Sequence, residues 1–291
     1  MKRHLSTILL VLIFLVGLAV MLYPTVSDYW NQQVQSRAIV DYEAAVSSMT
    51  QKDYSDIKQA AYDYNDALLD VEYPLMYYDV LEEREDLLPY ADILNVNGNG
   101  IMGYVTIEKI GVELPIYHGT SAAVLNVAAG HLEGTSLPVG GESTHCVLSA
   151  HRGLPSAKLF TNLDELVVGD TFTLTVLDEV LTYEVDQILI VLPNEVDALY
   201  VTEGEDYCTL QTCTPYGINT HRLLVRGHRV ETVREKPEIY VGADAYMIDS
   251  LIVTPLVAIP MLLVLLIFLL VKYRKKSGRD SKRSKKRKVR K

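Results

Sequence analysis

The chain has 291 residues, 37 Asp and Glu against 27 Lys and Arg, and a formal net charge of −10 at pH 7. This acidic balance argues against nucleic acid as a partner, because phosphate binding needs clustered cations. Three cysteines, Cys146, Cys208 and Cys213, make a poor disulfide framework for an exported domain, and no pair has the spacing of a zinc site.

The chain opens with a short basic flank, residues 1–4, followed by an apolar run at 5–23 that is long enough to cross a bilayer. A cleaved signal peptide is the alternative. The run exceeds the usual apolar region of such a peptide, however, and no A-x-A-like site follows it, so an uncleaved anchor is expected. A second apolar run, 251–271, is followed at once by the basic tail 272–291. Both runs carry their cations on the outer side, which places both termini in the cytoplasm and the chain between them outside. Charge divides in the same way, with the exterior near −24 and the tail near +12. A basic tract next to a membrane span reads as a stop-transfer flank that favours anionic lipid.

Residues 24–99 are expected to form a helical region before the barrel. Ile39, Tyr42, Val46 and Met49 repeat at helical spacing, as do Ile57, Ala61, Tyr64 and Leu68, with Asp53 and Ser55 as cap or turn residues between them. Helical character is expected to about Tyr90, and Asn97-Gly98-Asn99-Gly100 breaks it. In 100–232 the period shortens. Strands are expected at 102–107, 112–117, 145–150, 171–177, 181–192, 207–212 and 222–230, with a short helix near 122–127. Seven short strands bounded by turns suggest a closed or sandwich-like β architecture. Residues 233–250 read as a connector to the second apolar run.

The stretch Tyr207–Arg229 is a strand, a turn-rich loop holding Pro215, Gly217 and Asn219, and a second strand. Symmetric pairing about this loop sets Cys213 opposite Arg222 on one sheet face. A cation there favours the reactive thiolate and can also donate to an oxyanion. The plain alternative is a core cysteine with a solvated arginine nearby. Cys208 and Cys146 read as buried packing residues. A cysteine nucleophile needs a proton donor and acceptor, most often histidine. Of seven histidines, His118 and His131 adjoin loop glycines, His145 begins a strand, and His221 points away from the Arg222 face. His151 ends a strand and begins a loop, but on residue type alone any of them can be structural.

The run TLQTCTPYGINTHRLLVRGHR closely resembles the active-site signature of sortases, membrane-bound cysteine transpeptidases of Gram-positive bacteria. THCVLSAHRGLPSAKLF resembles their histidine motif, and LPIYHGTS and GHLEGTSLPVGGESTH extend the likeness over roughly Gly103–Arg229. The resemblance implies a mainly β fold, a closed sortase-type barrel of about eight strands, with the helical region before it and a membrane helix on each side. It also implies Cys213 as nucleophile, His151 as general acid and base, and Arg222 as the group that steadies the oxyanion or positions the substrate. Thr212 matches a family threonine, either contacting substrate or filling space. No cofactor or metal is implied.

The second apolar run and the TCTPYGINTHRLLVRGHR form of the signature resemble class C, the pilin polymerases. The expected activity is cleavage of an LPXTG-like sorting signal between Thr and Gly, with transfer of the acyl group to a pilin lysine. Partners are then pilin subunits or other LPXTG-type surface proteins, at the membrane. The alternatives are a sortase that anchors proteins to a cell-wall amine, a hydrolytic cysteine protease, and a non-catalytic membrane-anchored scaffold. Class C enzymes usually carry a lid with an Asp-Pro-aromatic triplet, and this chain has none. Asp70, Tyr73 and Tyr77 are the lid candidates, with a tyrosine plugging the site.

Overall fold

The computed structural model describes residues 2–232, 258–264 and 266–268. The expected connector 233–250, the tail 272–291 and much of the second apolar run lie outside the described residues. Within the described residues that run contributes an apolar helix, Ala258–Phe268, shorter than a membrane crossing. Helix α1, Lys2–Ser47, contains an 18-residue stretch of mean hydropathy 1.9, so by length and composition it can cross a membrane near its N-terminus. The described residues from Asp28 to Thr232 lie in one compact unit, which holds everything that follows.

In this unit α1 presents one stripe to the barrel, and the stripe changes character along its length. Ile39, Tyr42 and Val46 are buried, as their spacing predicts. One, two and three turns earlier, at the same periodicity, come Gln35, Asn31 and Asp28, which bond to loop backbone instead of packing. Gln35 donates to Val127 O at 2.7 Å and Asn31 to Ser156 O at 2.7 Å, and Asp28 accepts from Lys158 N at 2.7 Å. Helix α2, Gln51–Leu69, is capped by Thr50, whose hydroxyl accepts from Asp53 N while the Asp53 carboxylate accepts from Thr50 N. The cap is therefore Thr50, and Asp53 closes the box from the third helical position. After Leu69 the expected helix gives way to single turns, with α3 only Pro74–Tyr77. Tyr73 ahead of it is left-handed (φ 57°), and Pro74 at the first helical position starts a new turn in place of the old one.

Eight strands close a barrel in the order β1-β2-β3-β4-β7-β8-β6-β5. They are β1 Ile101–Ile107, β2 Val112–His118, β3 Ala129–His131, β4 Thr144–Ser149, β5 Thr171–Val176, β6 Glu179–Val191, β7 Asp206–Thr214 and β8 His221–Val230; the short helix α4, Ala122–Leu125, precedes β3. β2–β3 and β4–β7 run parallel, and the other pairs are antiparallel. The strand absent from the sequence pattern is β3, an Ala-Gly-His run with all three residues buried. Buried on both faces, it shows no alternation.

Inward residues of β4, β7 and β8 (Cys146, Leu148, Cys208, Leu210, Leu223, Val225) join the main core with Phe172, Leu174 and Tyr183. Gly227 is inward too, and a Cβ there would lie 2.8 Å from the Phe172 ring. His131, expected in a loop, is instead a fully buried β3 residue. Its Nε2 bonds Ser136 O at 2.9 Å and its Nδ1 meets the Tyr90 hydroxyl at 2.9 Å. Because a carbonyl can only accept, Nε2 carries the proton and Tyr90 donates to Nδ1.

Candidate functional site

Alternation along β4, β7 and β8 turns a second set of residues outward, and the strand register stacks them in rungs. His145, Tyr207 and His228 form one rung, Val147, Thr209 and Arg226 the next, then Ser149, Gln211 and Leu224; Cys213 and Arg222 come last. The first two rungs are closed by their own contacts. Arg226 forks onto Asp186 at 3.0 and 2.7 Å and lies 4.0 Å over the Tyr207 ring. His145 bonds Tyr200 O at 3.0 Å and Thr209 Oγ1 at 2.7 Å.

The last rung is open. Cys213 is half-buried and unbonded to the other cysteines. Arg222 is also half-buried, has no carboxylate within ion-pair distance among the described residues, and donates only to His221 O at 3.3 Å. A cation with unspent donors beside a sulfur is an arrangement suited to an anionic or carbonyl group brought from outside. The intervening loop turns at Gly217 (φ 73°) and Asn219 (φ 60°), both left-handed, which is why Pro, Gly and Asn occur there.

His151 lies two residues past the end of β4. The β4–β7 register ends at Ser149–Gln211 and continues through Ala150 N to Gln211 O at 3.1 Å. Thr212 Oγ1 then donates to Ala150 O at 2.8 Å. His151 is the next residue after Ala150 and Cys213 the next after Thr212, so both follow directly on this tie. The His151 ring has no hydrogen-bond partner among the described residues, and partial burial holds its pKa below the ordinary histidine value. It is therefore neutral at pH 7, able to take a proton. Thr212 itself is inward and only 2% exposed, so its hydroxyl ties β7 to the end of β4 from beneath the site.

The lid candidates flank Leu75. Leu75 of α3 packs on the apolar cluster of Val147, Leu199 and Leu224, directly beside the open rung. Pro74 O comes so close to Gly134 that a Cβ there would sit 2.5 Å from it. Tyr73 and Tyr77 are 53% and 54% exposed and, with Asp70, line a shallow cavity of about 400 Å³. Leu75, an apolar residue of the same segment that gave no lid signal in the sequence, is the one packed against this cluster. A better-formed cavity of about 340 Å³ lies at the opposite end of β4 from His151, between Leu68, Val71, His145 and Tyr200.

A closed barrel with a cysteine and an arginine paired on β7 and β8, and a histidine just past the end of the neighbouring β4, is one particular architecture. Residues 105–230 match the Sortase domain family. Among solved structures, the chain is 48% identical to sortase C1 from Streptococcus agalactiae (TM-score 0.62), a match covering 67% of this chain and 99% of that one. It is 45% identical to Streptococcus pneumoniae sortase C (TM-score 0.60), over 67% of this chain and 97% of that one. Against the curated Sortase A of Streptococcus agalactiae it is 30% identical over 135 residues, 45% of this chain. That alignment spans about half, 54%, of the curated relative. The chain belongs to the sortase family.

Proposed function

We propose that this chain is a membrane-anchored cysteine transpeptidase of class C that polymerises pilins. The observation that carries the reading is the register pairing of Cys213 with Arg222, one strand from His151. His151 takes the proton of the Cys213 thiol, and the resulting thiolate attacks the Thr–Gly carbonyl of an LPXTG-like sorting signal, forming an Sγ–C bond. Arg222 donates to the oxyanion of the tetrahedral intermediate. As the C–N bond breaks, His151 gives a proton to the departing glycine amine. A lysine amine of the next pilin then attacks the thioester, loses its proton to His151, and releases the thiolate. Neither step consumes an oxidant or a metal.

The pilin assignment is supported by the likeness to a pneumococcal sortase C described as having pilin substrate specificity. The apolar runs 5–23 and 251–271, each with its basic flank, support two membrane helices, cytoplasmic termini and an exterior barrel. The test is the full chain in detergent, incubated with an LPXTG-type peptide, a pilin and a cell-wall-type amine. Transfer to a pilin lysine is expected. Transfer only to the wall-type amine replaces the polymerase with an anchoring sortase, and a free threonine carboxylate as the only product replaces it with a hydrolase.

A further inference from the structure

His151 presents a problem of placement. Its ring has no hydrogen-bond partner among the described residues, so nothing fixes the imidazole directly, and its position is set by the backbone of its own loop. That loop, from Ala150 to Phe160, has little internal structure beyond an isolated bridge between Leu154 and Ala157 and the bond from Phe160 N to His151 O at 3.1 Å. Ala150 is tied to Gln211 and Thr212, and Gly153 N donates to Thr161 Oγ1 at 3.2 Å. Two further elements hold the loop.

The first is the nucleophile's own loop. The Tyr216 ring, three residues past Cys213, lies flush on Gly153, where an added Cβ would come within 3.1 Å of it. Gly153 is left-handed (φ 75°), so two independent constraints require glycine there. Arg152, between His151 and Gly153, places its guanidinium carbon 5.8 Å from the same ring and pairs with Asp164. Tyr216 is 60% exposed, so it contributes little to a core, and its ring packs on the His151 loop. The second is α1, whose Asp28 and Asn31 grip the loop backbone at Lys158 N and Ser156 O, both at 2.7 Å.

We propose that Tyr216, together with Asp28 and Asn31, acts as a set of positioning residues that fix His151 against Cys213. The inference rests on the acid–base reading of His151 given above. A displacement of about 1 Å at a reacting group can cost on the order of 10²-fold in rate, so loosening either hold should be costly.

The test uses the full chain in detergent, as wild type, Tyr216→Ala, Tyr216→Phe and the double variant Asp28→Ala with Asn31→Ala. Alanine is the best helix former, so the double change leaves α1 intact. Amide exchange across 151–160 is followed beside steady-state kinetics with an LPXTG-type peptide. Tyr216→Ala and the double variant should exchange faster across this loop and lose tenfold or more in kcat, with KM and melting temperature little changed. Tyr216→Phe, which keeps the ring, should match wild type. Unchanged exchange and kcat, a Phe variant as impaired as the Ala variant, or a collapse of melting temperature in both loosened variants would overturn the proposal. A wild type that forms no thioester would sink the transpeptidase reading by itself, and the exchange data would still decide whether the loop is held in this way.

Discussion

Cys213 and Arg222 are register partners on the outer face of β7 and β8, with Gln211 and Leu224 the next pair along the same face. Among the described residues the arginine has no carboxylate to neutralise it, so its donors remain available to a bound carbonyl. Arg222→Ala should therefore lower kcat by about 10²–10³-fold, the usual cost of losing an oxyanion donor. Melting temperature should hardly move, because no ion pair is lost. Lysine at this position should restore only part of the rate, since a point charge cannot reproduce the planar fork.

The lid segment gives a second expectation. Leu75 of the 70–79 segment packs against the cluster of Val147, Leu199 and Leu224, and Leu224 is in the rung next to Cys213 and Arg222. Deleting Asp70–Asp79 should raise the alkylation rate of Cys213 by a small-molecule thiol reagent severalfold. An unchanged rate would show that the segment does not restrict the site.

Stability should depend on pH through His145. Its Nδ1 faces a carbonyl and so carries the proton, leaving Nε2 to accept from Thr209, and burial pushes its pKa down to about 4. In the unfolded chain the value is about 6.5, so below that pH the unfolded state takes up a proton that the folded state refuses. Stability should fall as pH drops from about 6.5 toward 4, by up to about 3 kcal/mol at about 1.36 kcal/mol per unit. Urea midpoints at pH 7 and pH 5 measure this loss, and it should shrink in His145→Asn. His118, held below its ordinary pKa by burial, contributes in the same direction and limits how far it shrinks.

The seam between α1 and the barrel turns on one hydroxyl. Tyr42 Oη donates to Met102 O at 2.9 Å and accepts from Leu177 N at 2.8 Å, so it joins the helix to both β1 and the end of β5. Tyr42→Phe leaves a buried N–H and a buried C=O without that partner, at about 1–3 kcal/mol for each group stranded. Thermal denaturation should show the loss as a lower midpoint with unchanged peptide turnover.

The sequence made some of this legible and hid the rest, for physical reasons. The Cys213–Arg222 pairing was readable because a strand–loop–strand unit is local and a period of two fixes which face each residue takes. The helical stripe of Ile39, Tyr42 and Val46 was readable for the same kind of reason. Asp28, Asn31 and Gln35 continue that stripe, but polar residues at helical spacing look like a solvated face, and their partners lie 92 to 130 residues away. β3 was missed because a three-residue run buried on both sides has no period to detect. His131 was read as a loop residue because Gly130 beside it suggested a turn. Here that glycine instead admits the close approach of Gly119 O, 2.3 Å from where a Cβ would be.

The central claim is that Cys213 carries the acyl group. The most direct measurement is intact-protein mass spectrometry of the full chain after brief incubation with an LPXTG-type peptide, for wild type and Cys213→Ala. The account predicts a hydroxylamine-labile adduct on the wild type, equal to the peptide cut after threonine, and none on the variant. An adduct that persists in Cys213→Ala, or a wild type that processes the peptide while Cys213 stays free for alkylation throughout, would contradict it.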